Sequence, residues 1–200
     1  MVRSVDTVEY LLGEHAVMAF ARSKKKKEPL NEAALLDYAV GALARKMRTV
    51  RDLKRLMRTR VEEGEPGERM MDRVVNRLKD LNYLSDTRFA ADYTRLRKEN
   101  EKFGRRRVQQ DLAQKGVHKE LIASTLAKAY DDVDEVALAR EYIARKRMKR
   151  PEGEDAKKQA ARIMGRLMRA GFSAGAIFKV LREWDIEVDE VEEPEIEGEA

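Results

Sequence analysis

Catalysis requires side chains that attack, exchange protons near neutrality or hold a metal, and this 200-residue chain offers few of them. It has no cysteine, so thiolate nucleophiles, thiolate metal sites and disulfides are excluded. Its two histidines, His15 and His118, lie far apart, with neither H-x-x-x-H nor H-E-x-x-H spacing. Carboxylate pairs such as Asp131 and Asp132 stand without a neighbouring histidine or ligand cluster. Gly64-x-x-Gly67 lacks the lysine and hydroxyl that complete a phosphate-binding loop, and reads as a surface break. We expect no enzyme, no cofactor and no metal centre.

What remains is the chemistry of charge. The chain has 42 Lys and Arg against 37 Asp and Glu, a formal net charge of +5. Residues 183–200 hold ten acidic groups and no basic one, so residues 1–182 carry 42 basic against 27 acidic groups, or +15. Such a surplus favours a polyanionic partner, either nucleic acid or an acidic protein surface, because many weak Coulomb terms add along an extended contact. For any single Lys or Arg, solvation of a helical surface is the commoner role. The early uncharged run, residues 16–21, is far shorter than the ~20 apolar residues of a spanning helix. We expect no membrane contact and, with no export signal visible and no cysteine, a cytoplasmic location.

Those charges must be carried on helices. Ala, Leu, Arg, Lys, Glu, Gln and Met dominate, and the β-branched residues do not alternate with polar ones, so the fold class is all-α. Pro29, Pro66, Pro151 and Pro194 act as punctuation and interrupt no expected helix.

Internal similarity gives the architecture. At an offset of 55 residues Val108 meets Ile163, Leu112 meets Leu167, Gly116 meets Gly171, Val117 meets Phe172, Ile122 meets Ile177 and Leu126 meets Leu181. The pattern is a helix, a glycine stop in the left-handed region, and a second helix. Ser173 caps that second helix, with Phe172 stapled onto Ile177; His118 is the weaker equivalent cap, read as that and not as a ligand. A fainter copy lies upstream, where Leu53 meets Val108 and Met57 meets Leu112. Its register breaks at the acidic insert 62–68, after which a helix over 69–82 uses Val74 and Leu78 as core.

Each unit opens on a cap. Asn31, Ser85 and Asp134 start helices, with Leu84 expected to staple onto Phe89 and Val133 onto Leu138. Tyr38, Tyr93 and Tyr142 follow, read as packing residues; Phe89, Phe172 and Trp184 read as core or end caps. The expected domains are 1–29, an N-terminal extension of uncertain structure; 30–84, 85–133 and 134–184, three tandem three-helix repeats; and 185–200, an acidic disordered tail. Units of this kind stack to bury their apolar faces, giving an elongated, curved body rich in right-handed helix. A further expectation is that the tail folds back on the basic face and competes with a partner.

The motif YLSDTRFAADYTRLR at 83–97, followed by FGRRRVQQDLAQKGV at 103–117, resembles the centre of the RecX family of recombination regulators. The order and spacing of the Y-L-x-D-x-x-F-A start, the G-x-R-R/K turn and the D-L-x-x-K-G helix end carry the resemblance, which extends more loosely over 34–182. The inserts at 62–68 and 151–155, the acidic tail and the head before Leu30 depart from it. The resemblance implies a regulator that binds RecA and the filament of RecA on single-stranded DNA. It further implies inhibition of recombinase, ATPase and coprotease activities in DNA repair and the SOS response. A weak direct contact with DNA and a monomeric state complete the expectation; the alternative is an autonomous DNA-binding helical-repeat protein.

The best-defined basic face is the middle helix of the second unit. With Val108, Leu112 and Ala113 turned to the core, Arg105, Arg106, Gln109, Gln110 and Lys115 are left toward solvent. Equivalent helices add Arg51, Lys54, Arg55 and Arg58 in the first unit, and Arg162, Arg166 and Arg169 in the third. Arg95 and Arg97 give a basic edge to the first helix of unit two. Arginine's planar fork suits carboxylate and phosphate alike, so residue type does not choose between protein and DNA.

Overall fold

The computed structural model describes residues 28–186. The readings for residues 1–27 and 187–200, including the fold-back of the acidic tail, lie outside these described residues. Among the described residues there is no strand, and the helices are α1 (Glu32–Arg45), α2 (Val50–Met57), α3 (Glu65–Asp80), α4 (Asp86–Glu99), α5 (Arg105–Gln114), α6 (Lys119–Tyr130), α7 (Glu135–Arg145), α8 (Ala156–Arg169) and α9 (Ala174–Arg182).

Capping chemistry sets the helix starts. The side chains of Asn31, Thr49, Ser85, Asp134 and Ser173 each accept a backbone N–H from the first turn of α1, α2, α4, α7 and α9. His118 occupies the cap position of α6 without a side-chain hydrogen bond. Gly116 (φ 76°) and Gly171 (φ 91°) take the left-handed conformation after α5 and α8. There Val117 N–H reaches Leu112 O at 3.1 Å and Phe172 N–H reaches Leu167 O at 3.2 Å, so the last carbonyls are satisfied.

Three cores follow in chain order. Leu35, Leu53, Met57, Val74 and Leu78 centre the first, Val108, Leu112, Ile122 and Leu126 the second, and Leu138, Leu167, Phe172, Ile177 and Leu181 the third. Helices α1–α3, α4–α6 and α7–α9 therefore form three successive three-helix units. Phe103 and Tyr130 pack against both the second and third cores.

The units are joined by a repeated contact between middle helices. At the first joint Thr49, the cap of α2, donates its hydroxyl to Lys115 O at the end of α5 (2.8 Å). At the second, Gly104 N–H before α5 donates to Ala170 O at the end of α8 (2.9 Å), and Arg106 N–H to Gly171 O (3.3 Å). Thr49 and Gly104, like Lys115 and Ala170, are 55 residues apart, so the internal repeat is also a repeat of the joint. Glycine is required there by proximity: a Cβ on Gly104 would lie 2.3 Å from Gly171 O, and one on Gly171 2.2 Å from Arg107 N.

Several local expectations change. Helix α3 starts at Glu65, inside the acidic insert, because Pro66 suits a first helical turn and Gly64 (φ 95°) bends the chain into it. Gly67 is consequently buried, its missing Cβ making room for Glu62 O. Leu84 does not staple onto Phe89: it closes the first core, while Phe89 belongs to the second. Ala113 is exposed, since Val108 and Leu112 already fill the buried stripe of α5. The acidic run also begins as ordered structure. Glu183 accepts Arg140 at 2.9 and 2.5 Å, and Asp185, left-handed at φ 52°, pairs with Arg150 at 2.8 Å.

Candidate functional site

The joints bring basic side chains to the ends of the middle helices. Arg105 and Arg106 project into solvent where α5 meets α8, and neither forms an ion pair among the described residues. Arg162 and Arg166, on α8, are likewise exposed and unpaired among these residues. Where α2 meets α5, exposed Arg51 packs its stem over Gly116; a Cβ there would sit 2.1 Å from Arg51 Cδ. Lys115 lies beside it.

Other candidates already have partners. Lys54 pairs with Asp72 and is half-buried, Arg55 lies 3.1 Å from Asp52, and Lys115 lies 3.7 Å from the same Asp52. Asp52 and Asp72 thus neutralise much of the positive charge expected on α2. Arg95 pairs with Asp92 (3.6 Å) and Glu99 (3.4 Å). It borders a separate groove between α4 and α6 with Lys98 and Lys128. Arg97 lies 4.9 Å over the Tyr93 ring. The structure brings Arg105 and Arg106 to the end of α8, and Arg51 to Lys115; Arg95 belongs to the other groove.

Asp111 enters the sequence reading only as the start of the D-L-x-x-K-G helix end, yet it organises the base of this face. It accepts Tyr93 Oη at 3.0 Å and lies 3.1 Å from Arg107 Nε, though not in line with that N–H. Arg107 in turn covers the Phe103 ring at 5.6 Å. Burial, more than the neighbouring carboxylate, pushes the Tyr93 phenol above its ordinary value. The signal was present as an i, i+4 pair, Arg107 and Asp111, on a helix. Its importance depends on Tyr93 from another helix. The tyrosines otherwise pack as read: Tyr142 is buried against Phe172, and Arg60 sits over Tyr38.

No group of His, Asp and Glu among the described residues could hold a metal ion, and no described helix is long and apolar enough to cross a membrane. Over the described residues the chain is an all-helical tandem-repeat protein whose unit joint carries arginines with no ion pair among those residues. Residues 85–126 match the family model of the second three-helix domain of RecX. The regulatory protein RecX of Streptomyces coelicolor is 27% identical over 162 residues, 81% of this chain and 82% of that one. A crystal structure of regulatory protein RecX superposes with TM-score 0.61 and 22% identity, covering 76% of this chain and 73% of the other. RecX from Lactobacillus salivarius gives TM-score 0.58 at 20% identity, covering 77% and 96%. The two structures share the fold with this chain, and residues 85–126 carry its similarity to the second three-helix domain of RecX regulatory proteins.

Proposed function

We propose that this protein binds RecA and RecA filaments on single-stranded DNA and negatively modulates recombinase, ATPase and coprotease activity, acting in the cytoplasm as a monomer and without chemistry of its own. The reading rests on one observation: the joint between middle helices repeats at a 55-residue spacing and carries an exposed arginine each time, Arg51 at the first joint and its equivalent Arg106 at the second. A repeating polymer offers repeating patches, and a repeating binder meets several of them at once, multiplying weak contacts. Arg105, Arg106, Arg162 and Arg166 are the side chains for this role, because no ion pair among the described residues competes for them.

The test is RecA ATP hydrolysis on single-stranded DNA with increasing amounts of the protein. Hydrolysis should fall. The Arg105→Glu, Arg106→Glu double variant should inhibit much less while its helical circular dichroism stays unchanged, since both side chains are exposed. Full inhibition by that variant would move the contact to another face. The same unpaired arginines also favour direct DNA binding as a second reading. Tighter binding to bare single-stranded DNA than to RecA-coated DNA at physiological salt would support it; salt dependence alone would not, because counterion release accompanies both.

A further inference from the structure

Away from the basic face, one corner of the molecule exposes what a soluble surface normally covers. Met47 (45% exposed) and Tyr83 (61%) line one groove, and Leu81 (45%) sits two residues before Tyr83. The groove holds about 280 Å³ and is completed by Leu43, Phe89, Arg48 and Arg88. It lies where the α1–α2 loop faces the α3–α4 turn and the start of α4. The turn is held rigidly. Asn82 is left-handed at φ 58°, and the N–H groups of Tyr83 and Leu84 both donate to Leu78 O, at 2.9 and 3.2 Å. The backbone itself therefore holds the Tyr83 ring outward, and clustered exposed apolar groups of this kind mark interaction sites.

The rim is basic. Arg45 and Lys46, exposed and one or two residues before the lining residue Met47, form no ion pair among the described residues. Arg48 donates to Ala42 O at 3.3 Å and Arg88 to Asn82 O, so both cations are fixed by backbone carbonyls and keep their charge uncompensated. Asp92, the one carboxylate in the lining, lies 3.6 Å from Arg95. We propose that this corner is a docking site for an acidic segment of a protein partner, anchored by one apolar side chain inserted between Met47 and Tyr83. Charge complementarity selects the acidic segment. Leu43 and Met47 line the groove with non-aromatic surface and, of its two aromatic residues, Phe89 is buried against Tyr93, so Tyr83 alone presents an open ring; that lining selects one inserted side chain over a run of stacked bases. The site is made of residues other than Arg105 and Arg106 and does not depend on the filament reading.

The experiment uses the full chain and a fluorescently labelled synthetic peptide of glutamates around a single central leucine, followed by anisotropy. Saturable binding is expected. It should weaken about tenfold, or ~1.4 kcal/mol, with Tyr83→Ala, with Lys46→Glu, or with alanine in place of the peptide's leucine. Both protein changes are at exposed positions and should leave the circular dichroism and melting curve unchanged; Arg105→Glu with Arg106→Glu should leave peptide binding intact. No saturable binding, or binding insensitive to Tyr83→Ala and to the leucine, overturns the proposal. A thymidine oligonucleotide that binds more tightly than the peptide, and depends on Tyr83, overturns it in favour of a nucleic-acid site.

Discussion

At the scale of single residues, burial decides what each change does. Leu112 and Leu167 are fully buried equivalents in the second and third cores. Replacing either by alanine should lower stability by ~2–5 kcal/mol in urea unfolding, with any loss of regulation secondary to that. Tyr130 gives a pH signature. Burial raises its phenol well above the ordinary 10.0, and its hydroxyl donates to Phe103 O at 2.8 Å. Because the folded state holds the proton more tightly, Tyr130 contributes stability below about pH 10 that is lost as pH rises through the raised value. Urea midpoints should therefore drop above pH 10, and less steeply in Tyr130→Phe, which at neutral pH should lose only about 1 kcal/mol with the hydrogen bond. A parallel fall in both proteins would remove Tyr130 from the alkaline transition. The buried leucines and the caps Asn31, Ser85, Asp134 and Ser173 were legible because local spacing specifies them. Asp111 and Tyr83 stand in the quoted motif, but their roles were not legible: one draws its role from a distant tyrosine, the other from its exposure beside Met47.

At the scale of helices, the glycine joints matter most. Gly104 has φ −70°, which any residue adopts, so only crowding against Gly171 excludes a side chain there. Gly104→Ala should loosen the contact between the second and third units and cost ~1–3 kcal/mol as overpacking does, with faster amide exchange at Gly171 and Phe172. A fully stable variant with unchanged exchange would show that the units are held mainly through Phe103 and Tyr130. The repeat spacing revealed Gly116 and Gly171 as helix stops, because the left-handed residue follows directly from local pattern. It did not reveal that these stops receive the next unit. Helix α3 was misjudged for a related reason: proline and glycine signal a break, and the sequence alone does not say on which side of Pro66 the helix begins.

At the scale of the molecule, the three-unit organisation and the basic surplus were readable from periodicity and charge counting. The distribution of that surplus was not, since the ion pairs on α2 depend on how the helices meet: Asp72 on α3 reaches Lys54, and Lys115 at the end of α5 reaches Asp52. Charge reversal at Lys54 or Arg55 should accordingly weaken RecA inhibition less than reversal at Arg105 and Arg106, measured by the same hydrolysis assay; the opposite ranking would make α2 the contact. Each joint sets the start of one middle helix against the end of a later one, always in the same order. The body consequently has polarity, one terminus presenting the close of α2 and the other the opening of α8. Two unlike ends cannot be exchanged by turning the body end for end, so a reversed copy would present a different surface at each tip.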